Sequence, residues 1–475
     1  MFYKLNDNYL LEGWRKLPTG VVHKKTHNVF FLPREEYRLL LHMNGKEKID
    51  SDILTPAQQT SVSRLLEQGI IQKSDRPFSD SGNDAFYHFY DNAYINSVQW
   101  SVTGKCNYRC RHCLLEAPEN SGDDLTTRQC LDMIRQMKEC GIHQLSLTGG
   151  EALVRKDFMD LVKACSDAGI QITELYTNGA LLTPEVLNEI ISYGQFPQIQ
   201  ISYDGVGWHD WVRGIDGAQK IAEKAILAAH EAGLKTFAAM SVFKDNAKSI
   251  RETVNLLASL HVDYIKIAPM LRLGLWKKHY ADKTLTAEEF LNVVLEYIPD
   301  FFADGKPCSL EIGGFFAYFK DNDLSTTFLA KAPECPAPVS PCQSVASRLY
   351  VGSDGRVYPC MEFACLPEQL SFPSIQETSL REMLQDSVLL RIMQIKLEDV
   401  YNQNSECRDC PEKGIHCYQH CLVCKNTKFC DTDSDTRSLT CSFVKNRWFQ
   451  QIEECVKKAG GHFTLPGDKT ASEHP

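Results

Sequence analysis

Cys106-Asn-Tyr-Arg-Cys110-Arg-His-Cys113 decides how this chain is read. Three cysteines in C-x3-C-x2-C spacing follow directly on an apolar, β-prone run, Val98-Gln-Trp-Ser-Val-Thr-Gly104. No fourth cysteine joins the group; the next is Cys130. Three thiolates hold three irons of a [4Fe–4S] cube and leave the fourth iron an open position, unlike an electron-transfer site closed by four cysteines. An open iron takes a substrate or a cofactor.

Outward from this stretch the chain alternates strand and helix. Strands are expected at 98–103, 143–148, 171–176, 198–202, 235–242 and 264–268, with a helix after each of the first five. The first helix, 126–140, is expected to turn Leu131, Ile134 and Met137 to one face. Pro184 sits at the first position of another. Six βα units imply a parallel sheet with right-handed crossovers. Beyond them Thr286 opens an amphipathic helix through Leu291, Val294 and Tyr297. Phe315-Phe-Ala-Tyr-Phe319 reads as core.

The 475 residues, 43% hydrophobic, are enough for several domains. The net charge of −10 excludes a basic nucleic-acid footprint. No apolar run is long enough to span a bilayer. The opening Met-Phe-Tyr-Lys-Leu-Asn-Asp has no apolar signal segment, so a cytoplasmic location is expected. Nineteen cysteines in such a chain read as metal or redox ligands rather than disulfides. None precedes Cys106, and seven lie between Cys407 and Cys441 inclusive. Cys130, Cys140 and Cys165 fall on expected helices and read as buried thiols.

Residues 1–95 form a cysteine-free unit with its linker. Val21–Leu32 reads as a hairpin. Pro33 opens one helix and Thr55-Pro-Ala a second, with Val62, Leu65 and Leu66 at helical spacing. Residues 75–95 read as a polar, turn-rich linker.

The three-cysteine loop in this context resembles the radical S-adenosylmethionine (SAM) superfamily, whose partial (β/α)6 TIM-like barrel has the same number of units. The resemblance puts the site at the carboxyl ends of the strands. Gly149-Gly150-Glu151, ending the second strand, resembles the family's GGE motif, which binds the amino group of SAM. Ala152 stands where the family usually has proline. By the same resemblance Ser202 contacts the ribose and Arg213 pairs with the SAM carboxylate. Asn178 and Asp204 are further cofactor-binding candidates, with turn residues or helix caps as the alternative for each. His112 holds the place of the residue whose backbone contacts adenine.

The C-terminal third resembles the SPASM domain: Cys335, Cys342, Gly355-Arg-Val-Tyr-Pro-Cys360, then Cys407-x2-Cys410-x6-Cys417-x3-Cys421 and Cys441. The departure is six rather than five residues between Cys410 and Cys417. SPASM domains usually carry two auxiliary [4Fe–4S] clusters. Carried over, Cys335, Cys342, Cys360 and Cys421 hold one, and Cys407, Cys410, Cys417 and Cys441 the other. Cys424 and Cys430 compete with Cys441 for the last place. The rival is structural zinc, with His416 and His420 beside the C-x2-C pair.

Residues 1–95 resemble the winged-helix-like RiPP recognition element, which binds the leader of a ribosomal precursor peptide by strand addition. A dimerisation or capping domain is the alternative. The expected order is therefore 1–95 recognition unit and linker, 96–305 barrel, 306–334 bridge, 335–460 SPASM domain and 461–475 polar tail.

The resemblance implies an oxidoreductase using SAM and three [4Fe–4S] clusters, one binding SAM and two auxiliary, with a flavodoxin or ferredoxin-type electron donor. A 5′-deoxyadenosyl radical would abstract hydrogen from a precursor peptide, ending most simply in an oxidative thioether, C–C or C–O crosslink. Peptide epimerisation, an anaerobic sulfatase-maturing activity and small-molecule cofactor assembly are alternatives. Cys365 is the candidate hydrogen donor, with a buried thiol as its bland reading. Glu311 is the candidate base, with a surface carboxylate as the alternative.

Overall fold

The computed structural model describes residues 1–15, 17–26, 28–50, 53–79, 87–117, 123–320, 324–325, 340–365, 371–403, 405–413, 417 and 436–464. The N-terminal unit contains strands β1 (Phe2–Leu5), β2 (Tyr9–Trp14), β3 (Leu17–His23), β4 (Val29–Phe31), β5 (Asn44–Lys48), β6 (Ile71–Ser74) and β7 (Tyr87–Tyr90). Helices α1 (Arg34–His42) and α2 (Pro56–Glu67) pack among them. The expected hairpin is β3–β4, with Val22 opposite Val29. Thr55 caps α2, its hydroxyl accepting from the Gln58 N–H while the Gln58 side chain answers the Thr55 N–H.

Two small sheets result, in the orders β5-β1-β6 and β4-β3-β2-β7. The expected linker is a correction: β7 lies within it and pairs in parallel with β2, Leu11 opposite Tyr87. No local pattern announces a four-residue strand whose partner lies more than seventy residues earlier. One core cluster includes Leu11, Val21, Leu39, Leu40, Leu65 and Ile71.

All six expected barrel strands form: β8 (Ser97–Ser101), β9 (Gln144–Thr148), β10 (Gln171–Thr177), β11 (Gln198–Ser202), β12 (Thr236–Val242) and β13 (Tyr264–Pro269). They lie side by side in chain order, every neighbour parallel. The intervening helices include α3 (Thr127–Glu139), α4 (Phe158–Ala168), α5 (Pro184–Ser192), α6 (His209–Arg213), α7 (Ala218–Glu231) and α8 (Ile250–Ser259). In α3 the buried face is Cys130, Met133, Ile134 and Met137; Leu131, expected on it, is 41% exposed.

The sheet runs past the six units at both edges. After α9 (Gly274–His279) and α10 (Ala287–Ala303), strand β14 (Ser309–Ile312) adds in parallel to β13, inside the stretch expected to be only a bridge. Antiparallel β15 (Phe316–Tyr318) and then β16 (Leu324–Ser325) follow. At the other edge β17 (Arg348–Val351) joins β8 in parallel and forms a hairpin with β18 (Val357–Tyr358). Strand β19 (Phe463–Thr464) pairs with β16. Phe315, Phe316 and Ala317 are fully buried, as expected of core.

The strands are two-faced. Ile199, Ile201, Ile265 and Ile267 are buried in the main hydrophobic core, which takes in the helices. Their alternates Gln200, Ser202 and Lys266 are not fully buried. Alternation of this kind in a parallel sheet marks an inner face that lines a cavity rather than a packed core.

The N-terminal unit docks on the end of α3. The Trp14 and Asn92 side chains both donate to the Cys140 carbonyl, at 3.3 and 3.1 Å. Glu12 meets His143 at 3.3 Å. Gly141 turns the chain there at φ 74°, and a Cβ on it would lie 2.6 Å from the Tyr90 ring. From the C-terminal side the Leu380 N–H donates to the buried Gln136 amide at 2.7 Å. Among the described residues no helix is long and apolar enough to cross a membrane.

Candidate active site

The cysteine loop leaves the carboxyl end of β8 and is pinned on three sides. Asp124 accepts from the Thr103 hydroxyl (2.6 Å) and the Gly104 N–H (2.8 Å). The GGE turn after β9 closes against it: Gly150 N–H donates to Thr103 at 2.8 Å and Glu151 N–H to Lys105 at 2.9 Å. Cβ atoms on Gly149 and Gly150 would lie 2.6 and 2.4 Å from the Thr103 and Lys105 carbonyl oxygens, so only glycine allows this approach. On the third side the Arg111 guanidinium lies 4.7 Å from the Trp211 ring and donates to the Trp211 carbonyl, while its N–H donates to Val212 at 2.8 Å.

Each sulfur of the loop accepts a hydrogen bond. Cys106 takes the Tyr108 N–H at 3.4 Å, Cys113 the Ala117 N–H at 3.2 Å, and Cys110 an Arg213 N–H at 3.7 Å. Burial pushes the Cys106 thiol up to about 11 and Cys113 in the same direction. Thiols this reluctant to ionise become thiolates when a metal draws them together.

Glu151 is fully buried and accepts from Leu153 N–H (3.1 Å), the Thr177 hydroxyl (3.0 Å) and Asn178 N–H (2.7 Å). Burial raises its carboxyl above the ordinary range, against those three donors. A buried carboxylate held by neutral donors is suited to an ammonium ligand. Asn178 takes the turn role, its side chain accepting from Ala180 N–H, and it also donates to Asn107 in the cysteine loop at 2.7 Å.

Arg213 and Asp204 form a buried ion pair at 2.7 Å. Asp204 also accepts from Ser241 N–H at 3.2 Å and lies 3.6 Å from His209. Burial works to raise Asp204, but Arg213, His112 and His209 outweigh it and hold the carboxyl below its ordinary range. Asp204 therefore stands behind Arg213, and Arg213 stands against Cys110. Burial, then Arg213, lowers His112 to about 4, and its Nδ1 is buried with no partner among the described residues. Ser202 ends β11, half-buried, in register with Ala239 of β12.

One cavity adjoins this loop, and a second lies within the sheet. One of about 500 Å³ is bordered by Leu114, Glu116, Gly274, Tyr350, Asp354 and Cys365. Cys365 donates to Met361 (3.6 Å) and Leu114 (3.8 Å) carbonyls, and burial pushes its thiol up to about 12. The other, of about 540 Å³, lies on the inner face of the sheet, between Glu174, Tyr176, Gln200 and Lys266 on one side and Cys342, Cys360 and Glu362 on the other. Glu311 is half-buried in β14 and accepts from the Tyr264 hydroxyl at 2.6 Å, so it is not the surface carboxylate of the sequence reading. Glu174 and Glu362, the carboxylates that do line the cavity, were missed; the polar alternates of β10 were the available signal for the first.

Cys407, Cys410, Cys417 and Cys441 line one small cavity of about 30 Å³ with Lys445. Among the described residues no three His, Cys, Asp or Glu side chains close up enough to grip a single ion. Four thiolates around one site are a donor set that an iron–sulfur cluster takes, as does a structural zinc. Cys335, Cys421, Cys424, Cys430, His416 and His420 lie outside the described residues.

Comparison with known proteins agrees with this geometry. Residues 100–257 match the Radical SAM superfamily model, and residues 342–411 the SPASM model, an iron-sulfur cluster-binding domain. AdoMet-dependent heme synthase of Methanosarcina barkeri is 24% identical over 70% of this chain and 92% of its own length. Mycofactocin maturase MftC of Mycobacterium tuberculosis is 30% identical over 40% of this chain; the match spans about half, 49%, of that relative. The crystal structure of Streptococcus suis SuiB bound to precursor peptide SuiA superposes with a TM-score of 0.65 at 16% identity, covering 91% of this chain and 99% of SuiB. That likeness shows a shared fold. Residues 100–257 are thus similar to the radical SAM domain and residues 342–411 to the SPASM iron–sulfur domain, in the order barrel then cluster domain.

Proposed function

We propose that the protein is a maturase that modifies a ribosomal precursor peptide, most simply by an oxidative crosslink. The observation that carries this reading is the outer edge of β4, which has no partner strand among the described residues. It ends the sheet order β4-β3-β2-β7, and its Phe30 and Phe31 are 47% and 49% exposed. Exposed apolar strand edges are liabilities unless a partner strand uses them. An extended leader peptide is such a partner, which gives residues 1–95 the role of a recognition element. The match to SuiB supports the reading, since it takes in more of the chain than the residues after 95 alone would supply.

In this proposal Cys106, Cys110 and Cys113 hold the SAM-binding cluster. Cys407, Cys410, Cys417 and Cys441 hold one auxiliary cluster. Cys342 and Cys360 contribute to the other, with Cys335 and Cys421. Bound SAM and its cluster supply a 5′-deoxyadenosyl radical for hydrogen abstraction. Glu151 holds the SAM ammonium, Ser202 lies at the ribose, and the unpartnered His112 lies at the adenine. Arg213, backed by Asp204, orients toward the loop and the SAM carboxylate. The inner-face cavity takes the peptide residue to be modified and shields it from water.

A second reading has one specific support. Cys365 keeps its proton and lies beside Cys113, as a hydrogen donor in a redox-neutral epimerisation would. The heme synthase relative keeps small-molecule chemistry as the third outcome of the test.

The test is anaerobic reconstitution, with iron and sulfide counted in the wild type and in a Cys106/Cys110/Cys113→Ala variant. About twelve irons falling to about eight is expected for three cubes of four. Incubation with SAM, a reductant and a candidate precursor peptide, sought as a short reading frame near the gene, should then remove two hydrogens from the peptide. Unchanged mass with a D-residue favours epimerisation. Deoxyadenosine production that ignores the peptide overturns the maturase reading.

A further inference from the structure

We infer that the inner-face cavity recognises a carboxylate on its substrate through Lys266, with Arg348 reaching in from the opposite wall. The inference rests on the peptide reading and deepens it, giving the modified segment an acidic group.

The cavity walls come from β8, β10, β11, β12 and β13 on the barrel side and from β17 with Met361–Ala364 on the SPASM side. About 540 Å³ accommodates a side chain with its flanking backbone. The charged groups in it are not equally provided for. Glu174 accepts from the Ser146 hydroxyl at 2.7 Å and the Tyr176 hydroxyl at 3.0 Å, so the barrel's own anion is solvated by the wall. Arg348 spends its Nε on the Ser97 hydroxyl at 3.1 Å, and its terminal nitrogens have no partner among the described residues. Lys266 is exposed into the cavity and has no hydrogen bond or ion pair among the described residues. Glu311, its register neighbour on β14, accepts from Tyr264 instead. Glu362 lines the SPASM rim, on the helix that ends beside Cys365.

The Lys266 side chain is exposed to the cavity, with Ala239 beside it on β12 and Glu311 beside it on β14, so its head is open to a ligand. A substrate carboxylate between Lys266 and the Arg348 fork completes both sides, and Arg is the better bidentate partner. The carboxylate belongs either to an Asp or Glu side chain or to a peptide C-terminus.

Saturation-transfer NMR on the reconstituted full chain tests this with three probes. N-acetylglutamate α-amide carries a side-chain carboxylate, N-acetylglutamine a terminal one, and N-acetylglutamine amide none. We expect transfer to one of the acids and not to the neutral amide; which acid responds tells side chain from terminus. Lys266→Met should weaken it about tenfold, while Lys266→Arg keeps it; an unchanged melting temperature shows that the fold is intact. Equal transfer to all three probes, transfer to none, or binding indifferent to Lys266→Met overturns the inference. An acid held through Lys266 in a protein that modifies no peptide leaves this site standing and removes the maturase reading. A modified peptide with no charge preference does the reverse.

Discussion

Glu151 and Asp204 are both fully buried carboxylates, and their surroundings set them apart. Glu151 has only neutral donors and is raised by burial. In Asp204 burial is outweighed by Arg213, and the carboxyl is lowered. Replacing Asp204 by Asn strands a buried guanidinium, and we expect a loss of about 3–5 kcal/mol in urea unfolding. Because the folded pKa is depressed, this contribution is complete above the ordinary carboxyl range and is lost as pH falls through the folded value. The wild-type and variant stabilities should therefore converge in acid; a gap that persists there contradicts the ion pair. Gly150→Ala should move the cysteine loop, because its new Cβ has no room beside Lys105. Calorimetric SAM binding to the reconstituted variant should fall at least about tenfold. Unchanged affinity would mean that the turn relaxes freely. At this scale the sequence singled out Glu151, Asp204 and Arg213, and the structure buries all three. It did not reveal that Arg213 is shared between Asp204 and Cys110, since Cys110 lies 103 residues away along the chain.

At the scale of elements, the barrel strands were readable to within a residue or two because each has its own alternation and its own flanking helix. β1, β2, β7, β14 and β17 were not foreseen. β1, β7, β14 and β17 have four residues each and pair with strands distant in the chain, so little of their pairing is written locally, whereas β2 pairs with its sequence neighbour β3 in a hairpin that was missed. The contact between the N-terminal unit and α3 is of the same kind. Trp14 is 1% exposed and stacks on Tyr90 at 5.4 Å while donating to Cys140. Trp14→Ala should cost about 3–5 kcal/mol in local stability. Hydrogen exchange should quicken in β2 and β7 while β9–β13 stay protected. Uniform exchange across the barrel would show that the two units unfold as one.

At the scale of the molecule, the SPASM hairpin is part of the barrel's own sheet, through β17 and β8, and carries Cys360 to the cavity wall. The four cysteines from Cys407 to Cys441 instead surround a site whose walls are the short helix Ser405–Arg408 and the helix Thr436–Lys445. Metal binding and folding are coupled in such a place. Removing iron with a chelator should release protection in those two helices and leave β9–β13 unchanged. Protection that survives iron removal would show that the domain folds without its clusters.

Spacing along the chain carried the resemblance that implies the chemistry class, and alternation carried the barrel strands. Cysteine ligands, a glycine turn and strand alternation are local features, legible at short range. Only the tertiary structure decided that the sheet extends beyond six units, that Glu311 faces Tyr264 rather than solvent, and that Lys266 and Arg348 share one cavity. Those relations join residues far apart in sequence, and they exist only once the hydrophobic faces of the helices have closed the sheet around them.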